Sequence, residues 1–195
     1  MNICLYGASS NEIDEIFISL TEDLGEKIAK KGHNLVYGGG AAGLMGAAAR
    51  GVKKGGGKVI GVAPSFFQVD GVLFSDCDEL IYTETMRQRK QIMEERADAF
   101  VAVPGGIGTF DELFEILSLK QLGRHNKPVA VFNIDGYFDS LEAMLQMAVE
   151  RKFMTAKSRE LIKVVSSAEE LIEYFENYEG NVFDFSVLRK VKQEL

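Results

Sequence analysis

The segment PGGIGTFDE at residues 104–112 is the strongest candidate for chemistry in this sequence. It follows a short apolar run and opens a stretch with helical periodicity. Glycines let a backbone approach a ligand closely, and the N-terminus of a helix offers unpaired N–H groups that suit a phosphate. The candidate phosphate ligands are Gly105, Gly106, Gly108 and Thr109. A structural role is the alternative, because Thr109 and Glu112 stand at the spacing of a capping box.

A second glycine-rich segment, YGGGAAGLMG at residues 37–46, formally matches the dinucleotide-binding pattern through Gly38, Gly40 and Gly43. The match is weak evidence for NAD or FAD, since the segment follows the second predicted strand rather than the first. The next predicted strand, Lys58–Ala63, also lacks the acidic residue at its end that would bind a ribose. Tight packing of a helix on a strand explains Gly43 equally well.

A helix face that carries Met86, Arg89, Lys90 and Met93 is the third candidate. These residues follow the i, i+3, i+4, i+7 pattern, so they share one side of a predicted helix. Such a face could stack a base and neutralise a phosphate. The alternative is an ordinary surface helix whose arginine and lysine stems pack on the sheet.

Strand-like and helix-like segments alternate along the chain, which favours parallel strands joined by helical crossovers. The predicted strands are Asn2–Tyr6, Asn34–Tyr37, Lys58–Ala63, Glu79–Thr83, Ala99–Val103, Val129–Phe132 and Leu161–Val165. The predicted helices are Asp14–Lys31, Gly43–Lys54, Thr85–Ala97, Phe110–Leu122, Tyr137–Arg151 and Ala168–Tyr178. Because the strands are apolar without polar alternation, we expect a sheet that is buried on both faces.

The fold class predicts where a ligand binds. We expect one Rossmann-like α/β domain over residues 1–195, with a doubly wound, mostly parallel sheet, helices on both faces and a tail over about residues 180–195. Ligands in such folds bind beyond the carboxyl ends of the strands, where the strand order switches. The glycine turns after the first, second and fifth predicted strands would all lie on that edge.

Composition narrows the function classes. The 195 residues carry a net charge of −7, which disfavours binding to nucleic acid or to anionic lipid. No apolar run approaches the ~20 residues that span a bilayer, and the N-terminus lacks the features of a secretory signal. Two scattered cysteines and two scattered histidines indicate neither a disulfide framework nor a metal site. We therefore expect a cytoplasmic protein without a membrane segment, a metal or a nucleic-acid partner.

Two motifs taken together resemble a known family. Met86-x-x-Arg89-Lys90, combined with the PGGIGTFDE segment, is similar to the Lonely Guy family of nucleoside 5′-monophosphate phosphoribohydrolases, formerly labelled lysine decarboxylase-like. Members of this family release free cytokinin bases. The resemblance covers nearly the whole chain. Further matching segments are Leu5–Ser10, Tyr37–Gly46, Ala97–Phe100, Gln121–Gly123, Lys127–Val129 and Asp135–Tyr137.

The resemblance implies an activity and a set of site residues. It implies a Rossmann-like homodimer, with the active site near the interface, that needs no cofactor. The enzyme would cleave the N-glycosidic bond between ribose 5-phosphate and adenine or an N6-substituted adenine, so AMP is a candidate substrate. Arg89 and Glu112 would be the catalytic pair. The implied substrate-binding residues are Met86, Lys90, Gly105, Gly106, Gly108, Thr109, Ser9, Gly39 and Gly40.

Glycoside chemistry suggests how the pair would work. Cleavage passes through a ribosyl cation-like transition state, so it requires a negative group near the sugar and an activated water. Glu112 is the natural anion, since we expect a helix N-terminus to keep its carboxylate ionised. Arg89 stays protonated, so its expected role is to orient and stabilise charge.

Two rival functions stay open on the same fold. One is a nucleotide sensor that binds AMP-like ligands without consuming them, although binding alone would not need both Arg89 and Glu112. The other is a pyridoxal-phosphate decarboxylase, which requires a Schiff-base lysine and a partner for the pyridine ring. No motif in the sequence specifies either of those groups.

Overall fold

The chain forms one seven-stranded sheet covered by helices, and a computed structural model describes residues 1–180. From residue 181 onward, the predicted tail lies outside the described residues. The strands are β1 Asn2–Tyr6, β2 Asn34–Tyr37, β3 Val59–Pro64, β4 Glu79–Thr83, β5 Ala99–Ala102, β6 Val129–Phe132 and β7 Lys163–Val165. The helices are α1 Glu15–Lys30, α2 Gly43–Lys54, α3 Met86–Arg96, α4 Ile107–Gln121, α5 Asp139–Glu150, α6 Ala156–Arg159 and α7 Ala168–Glu176.

The sheet is parallel throughout, in the order β4-β3-β2-β1-β5-β6-β7. Central strand β1 pairs with both β2 and β5, so Cys4 lies opposite Val36 on one side and Phe100 on the other. The chain builds outward from β1 in one direction and then returns to β5 to build in the other. The strand order therefore switches between β1 and β5, and the turns after these two strands border the crevice where ligands bind in this fold class. The predicted fold class is confirmed.

Two apolar layers bury the sheet on both faces. One layer is made by α1, α2 and α7, through residues such as Leu24, Leu44 and Leu171. The other is made by α3, α4 and α5, through residues such as Met93 and Leu113. Helix α3 follows β4 and helix α4 follows β5, so both helices begin at the carboxyl edge of the parallel sheet.

The element boundaries differ from the prediction at several places. Helix α4 begins at Ile107, three residues earlier than predicted, and α5 begins at Asp139 rather than Tyr137. The four-residue helix α6 was not predicted, because so short a segment carries no helical periodicity. A 3₁₀ turn at Ser65–Phe67 interrupts the long connection after β3. No helix within residues 1–180 is long and apolar enough to cross a membrane.

Candidate active site

The turn between β5 and α4 presents open backbone N–H groups. Gly106 is the N-cap of α4, and no side chain caps it. The first N–H groups of an α-helix have no partner within the helix, so those of residues 107–109 are available at the carboxyl edge. Exposed Gly106 and Gly108 have open space where a Cβ would lie, and neither has a positive φ. Since packing and conformation do not demand glycine here, close approach of a ligand is the remaining physical reason.

The glycine turn between β2 and α2 is closed by the protein's own atoms. The Gly43 N–H donates to the Asn11 side chain at 2.7 Å, and the Leu44 N–H donates to the carbonyl oxygen of Ala8 at 2.9 Å. Gly43 has a φ of 59°, and a Cβ there would lie 2.5 Å from that same carbonyl oxygen. Packing thus explains this segment, which leaves the β5–α4 turn as the better anion site.

The other residues expected to bind substrate divide between the two turns. Gly39 is buried beneath residues 72–74, where its carbonyl oxygen accepts a backbone hydrogen bond, and Gly40 forms a bridge with the same segment. Ser9 is exposed in the loop after β1, and this loop donates a backbone hydrogen bond to Pro104 at 3.0 Å. The structure therefore brings the loop that contains Ser9 beside the open turn, through Ala8 and Ser10, and keeps Gly39 inside the protein.

Arg89 and Glu112 form an ion pair at the edge of the sheet. Arg89 Nη1 donates to Glu112 Oε1 at 2.6 Å, and only 6% and 11% of the two side chains are exposed. Arg89 Nε also donates to the carbonyl oxygen of Val62, within β3, at 3.1 Å. Gly38 makes room for the guanidinium, because a Cβ at Gly38 would lie 1.9 Å from Arg89 Nη2. The pair is thus fixed by two strands and two helices.

The start of α3 holds Arg89 in place through a capping box that was not predicted. The Thr85 hydroxyl accepts the Gln88 N–H at 3.2 Å, and the Gln88 side chain accepts the Thr85 N–H at 3.1 Å. These reciprocal bonds satisfy donors at the helix end. They fix the first turn of α3, and Arg89 follows directly after it.

Two expectations about Glu112 are wrong. Thr109 lies inside α4 and is not its N-cap, so Thr109 and Glu112 do not form a capping box. Glu112 is also the sixth residue of α4, beyond the first turn where a helix end stabilises negative charge. Burial raises the pKa of the Glu112 carboxyl above its ordinary value, and the charge of Arg89 opposes that shift. The environment therefore moves this carboxyl toward accepting a proton.

Met86 and Lys90 take different positions on α3. Met86 is the first residue of the helix and is exposed at the edge of the site. Lys90 Nζ pairs with Asp111 at 2.9 Å and with Glu115 at 2.6 Å, on the outer side of α4. These carboxylates hold the lysine charge on the outer side of the two helices. Lys90 ties α3 to α4 through these ion pairs, and it lines one cavity together with Ile107 of the open turn.

Three groups that support the site have contacts that no sequence pattern predicts. Gly38 leaves space for the Arg89 guanidinium, and the Val62 carbonyl oxygen accepts a hydrogen bond from Arg89. The Tyr137 hydroxyl donates to the carbonyl oxygen of Gly105 at 2.6 Å. Each contact joins segments that are distant in the sequence, so no local pattern predicts it. For Tyr137, a signal existed in the Asp135-Gly136 turn signature directly after a predicted strand.

The open turn and the Glu112 carboxylate of the ion pair lie on one helix, α4. Glu112 lies four positions after Gly108, which corresponds to about 6 Å of helix rise. An anion held at the turn would therefore place a sugar attached to it near the carboxylate. Within residues 1–180, no three His, Cys, Asp or Glu side chains are grouped as a metal site would require. The arrangement suits a phosphorylated sugar.

Comparisons with known proteins agree with the geometry. A protein-family model described as "Possible lysine decarboxylase" matches residues 45–175. Cytokinin riboside 5′-monophosphate phosphoribohydrolase LOG2 of Arabidopsis thaliana is 37% identical over 183 residues, which cover 94% of this chain and 86% of that protein. Its relative LOG3, from the same plant, is 38% identical over 176 residues, which cover 90% and 82%.

A solved structure shares the fold. The molybdenum cofactor binding protein of Rippkaea orientalis superposes with a TM-score of 0.70 at 25% identity, over 90% of this chain and 94% of that one. The resemblance to the plant enzymes is closer in sequence and extends over nearly the whole chain. The chain therefore belongs to the Lonely Guy family, the family of the cytokinin riboside 5′-monophosphate phosphoribohydrolases.

Proposed function

We propose that this protein hydrolyses the N-glycosidic bond of a purine nucleoside 5′-monophosphate, either a cytokinin riboside 5′-monophosphate or AMP, to the free base and ribose 5-phosphate. The observation that carries the proposal is the open N–H turn at residues 106–109 at the start of α4, the helix that also carries Glu112, whose carboxylate is paired with Arg89 of α3. The names of the plant relatives support this reaction class.

The proposed reaction assigns one task to each part of the site. The N–H groups at the start of α4 bind the phosphate, with Thr109 beside them, and so position the sugar. Glu112 faces the positive charge that develops on the ribose and accepts a proton from the attacking water. The water oxygen bonds to the anomeric carbon as the bond to the base nitrogen breaks. The base takes up a proton from the solvent and Glu112 returns its proton to the solvent, so the net reaction consumes one water. Arg89 stays charged and holds Glu112 in place.

A second candidate function is nucleotide binding without catalysis. It is favoured by the fold shared with the molybdenum cofactor binding protein of Rippkaea orientalis, whose name describes binding alone. Binding requires the open turn but has no use for a carboxylate beside the sugar. The buried ion pair at 2.6 Å therefore favours catalysis.

Product analysis separates the two functions. The protein is incubated with AMP, with N6-substituted AMP derivatives and with adenosine, and the products are separated by chromatography and identified by mass. We expect free base and ribose 5-phosphate in equal amounts from a monophosphate, with adenosine a poor substrate because it cannot use the phosphate-binding turn. Binding of every monophosphate without any release of base would establish the sensor, and equal turnover of adenosine and AMP would contradict the role of the turn.

The proposal includes a homodimer with the active site near the interface. Helix α5 buries none of its side chains fully, and Met144, Met147 and Phe153 are exposed at 46%, 53% and 89%. Ile107, within the open turn, is 88% exposed. A second copy would remove these apolar groups from water. Light scattering should give twice the chain mass of 21.5 kDa, and Met147→Glu should lower it; a single-chain mass for the wild type would contradict the dimer.

A further inference from the structure

Tyr137 reaches the open turn from the segment that follows β6. Its hydroxyl donates to the carbonyl oxygen of Gly105 at 2.6 Å, although the two residues are 32 positions apart. Tyr137, Gly105 and Gly106 also line a cavity of about 270 Å³ that includes Ser10 from the loop after β1. Tyr137 is therefore part of the crevice between β1 and β5, where the strand order switches.

The segment after β6 fixes the position of this tyrosine. Asp135 and Gly136 have φ angles of 50° and 70°, which turn the chain sharply back toward the sheet edge. The Asn133 side chain accepts the Phe138 N–H at 2.7 Å and closes the turn. The Tyr137 ring packs edge-on against Phe138, with 5.1 Å between the ring centroids. The turn and the contact with Phe138 thus fix the position of the ring, and the hydroxyl at its far end reaches the carbonyl oxygen of Gly105.

The hydrogen bond controls the direction of one donor in the anion site. The carbonyl of Gly105 and the N–H of Gly106 belong to the same peptide group, which is planar and trans, so they point in opposite directions. Fixing the carbonyl oxygen on Tyr137 therefore fixes the Gly106 N–H on the other side. Glycine backbones rotate more freely than others, so two successive glycines need such an external restraint.

We propose that Tyr137 is a positioning residue, which aims the Gly106 N–H at the phosphate of the substrate by holding the Gly105 carbonyl oxygen. The inference rests on the proposed function only in naming a nucleoside monophosphate as the ligand. The quantity that the inference predicts is the affinity of the turn at residues 106–109 for a phosphate. That affinity can be measured without any turnover.

The test removes only the hydroxyl, with the Tyr137→Phe variant. Calorimetric titrations with ribose 5-phosphate and with inorganic phosphate compare this variant with the wild type. Tyr82→Phe is the matched control, because Tyr82 is exposed to a similar degree, 46% against 42%, and lies on edge strand β4. Loss of one neutral hydrogen bond predicts phosphate binding that is about three- to tenfold weaker. The KM for AMP should rise by the same factor with a smaller change in kcat.

The outcomes separate this inference from the proposed function. Weaker phosphate binding in Tyr137→Phe alone, with an unliganded protein that still unfolds cooperatively at a melting temperature only a few degrees lower, supports the positioning role even if the wild type cleaves no nucleotide. Equal affinity in Tyr137→Phe and the wild type overturns it, and so does an equal loss in Tyr82→Phe. Absence of nucleotide cleavage by a wild type that binds phosphate would overturn the proposed function instead.

Discussion

The Glu112→Gln substitution separates the charge of this side chain from its shape. Glutamine keeps an oxygen that can accept the hydrogen bond of Arg89 Nη1, which now measures 2.6 Å, but it removes the negative charge. Both side chains are almost fully buried, so the guanidinium loses its counter-charge in a poorly solvated place. A hydrogen bond to a charged group contributes ~1.5–3 kcal/mol, and part of it survives. We therefore expect a loss of about 1–2 kcal/mol in the free energy of unfolding.

The same substitution should remove most of the activity. If Glu112 activates the water and faces the developing cation, kcat should fall by at least ~100-fold, the lower end of the range for general acid–base groups. Release of free base from AMP measures kcat, and urea denaturation measures stability.

Glu142→Gln is the matched control for this substitution. Glu142 pairs with Arg159 at the same 2.6 Å, but on the surface, so both its stability change, below ~1 kcal/mol, and its activity change should be small. A kcat near the wild-type value in Glu112→Gln would refute the role assigned to Glu112. Asp111 and Glu84 would then be the next candidates for the catalytic carboxylate.

Three further predictions concern the same site. Arg89→Ala should abolish turnover and lower the free energy of unfolding by ~3–5 kcal/mol in urea denaturation, because it leaves Glu112 buried and unpaired; an unchanged stability would contradict the tight pair. Gly108→Ala should raise the melting temperature by about 1–4 °C, since alanine favours the helix and its Cβ meets no protein atom. The same substitution should weaken phosphate binding in a titration, and unchanged binding would show that the anion binds at another site. Because the active form of Glu112 is ionised and burial raises its pKa, kcat/KM should fall as pH drops through a midpoint above the ordinary value of 4.5, and a midpoint below it would count against the role of burial.

The fold and the pairing of Arg89 with Glu112 were both predictable from the sequence, but from different observations. Uniformly apolar strands that alternate with helices predict the fold, because a parallel sheet that is buried on both faces consists of such strands. The pairing came from the family resemblance of two motifs, and the structure brings the two side chains together. Helix periodicity grouped Met86, Arg89, Lys90 and Met93 on one face of α3, but the structure buries only Arg89 and Met93 of these, and Met86 is exposed.

Local patterns could not predict the details of the site. Glycine disfavours helix, so the pattern indicated a start at Phe110, whereas α4 begins at Ile107 and takes Gly108 into its first turn. That shift changed the expected roles of Thr109 and Glu112. The bonds from Arg89 to Val62 and from Tyr137 to Gly105 join residues 27 and 32 positions apart, and such contacts exist only once the strands are assembled.

A crystal structure of the protein with AMP or ribose 5-phosphate would test the central claim most directly. We expect the phosphate against the N–H groups of Gly106 to Thr109, and the sugar beside the carboxylate of Glu112. A phosphate bound instead at residues 38–43, with the turn at residues 106–109 empty, would contradict the site on which the proposed function rests.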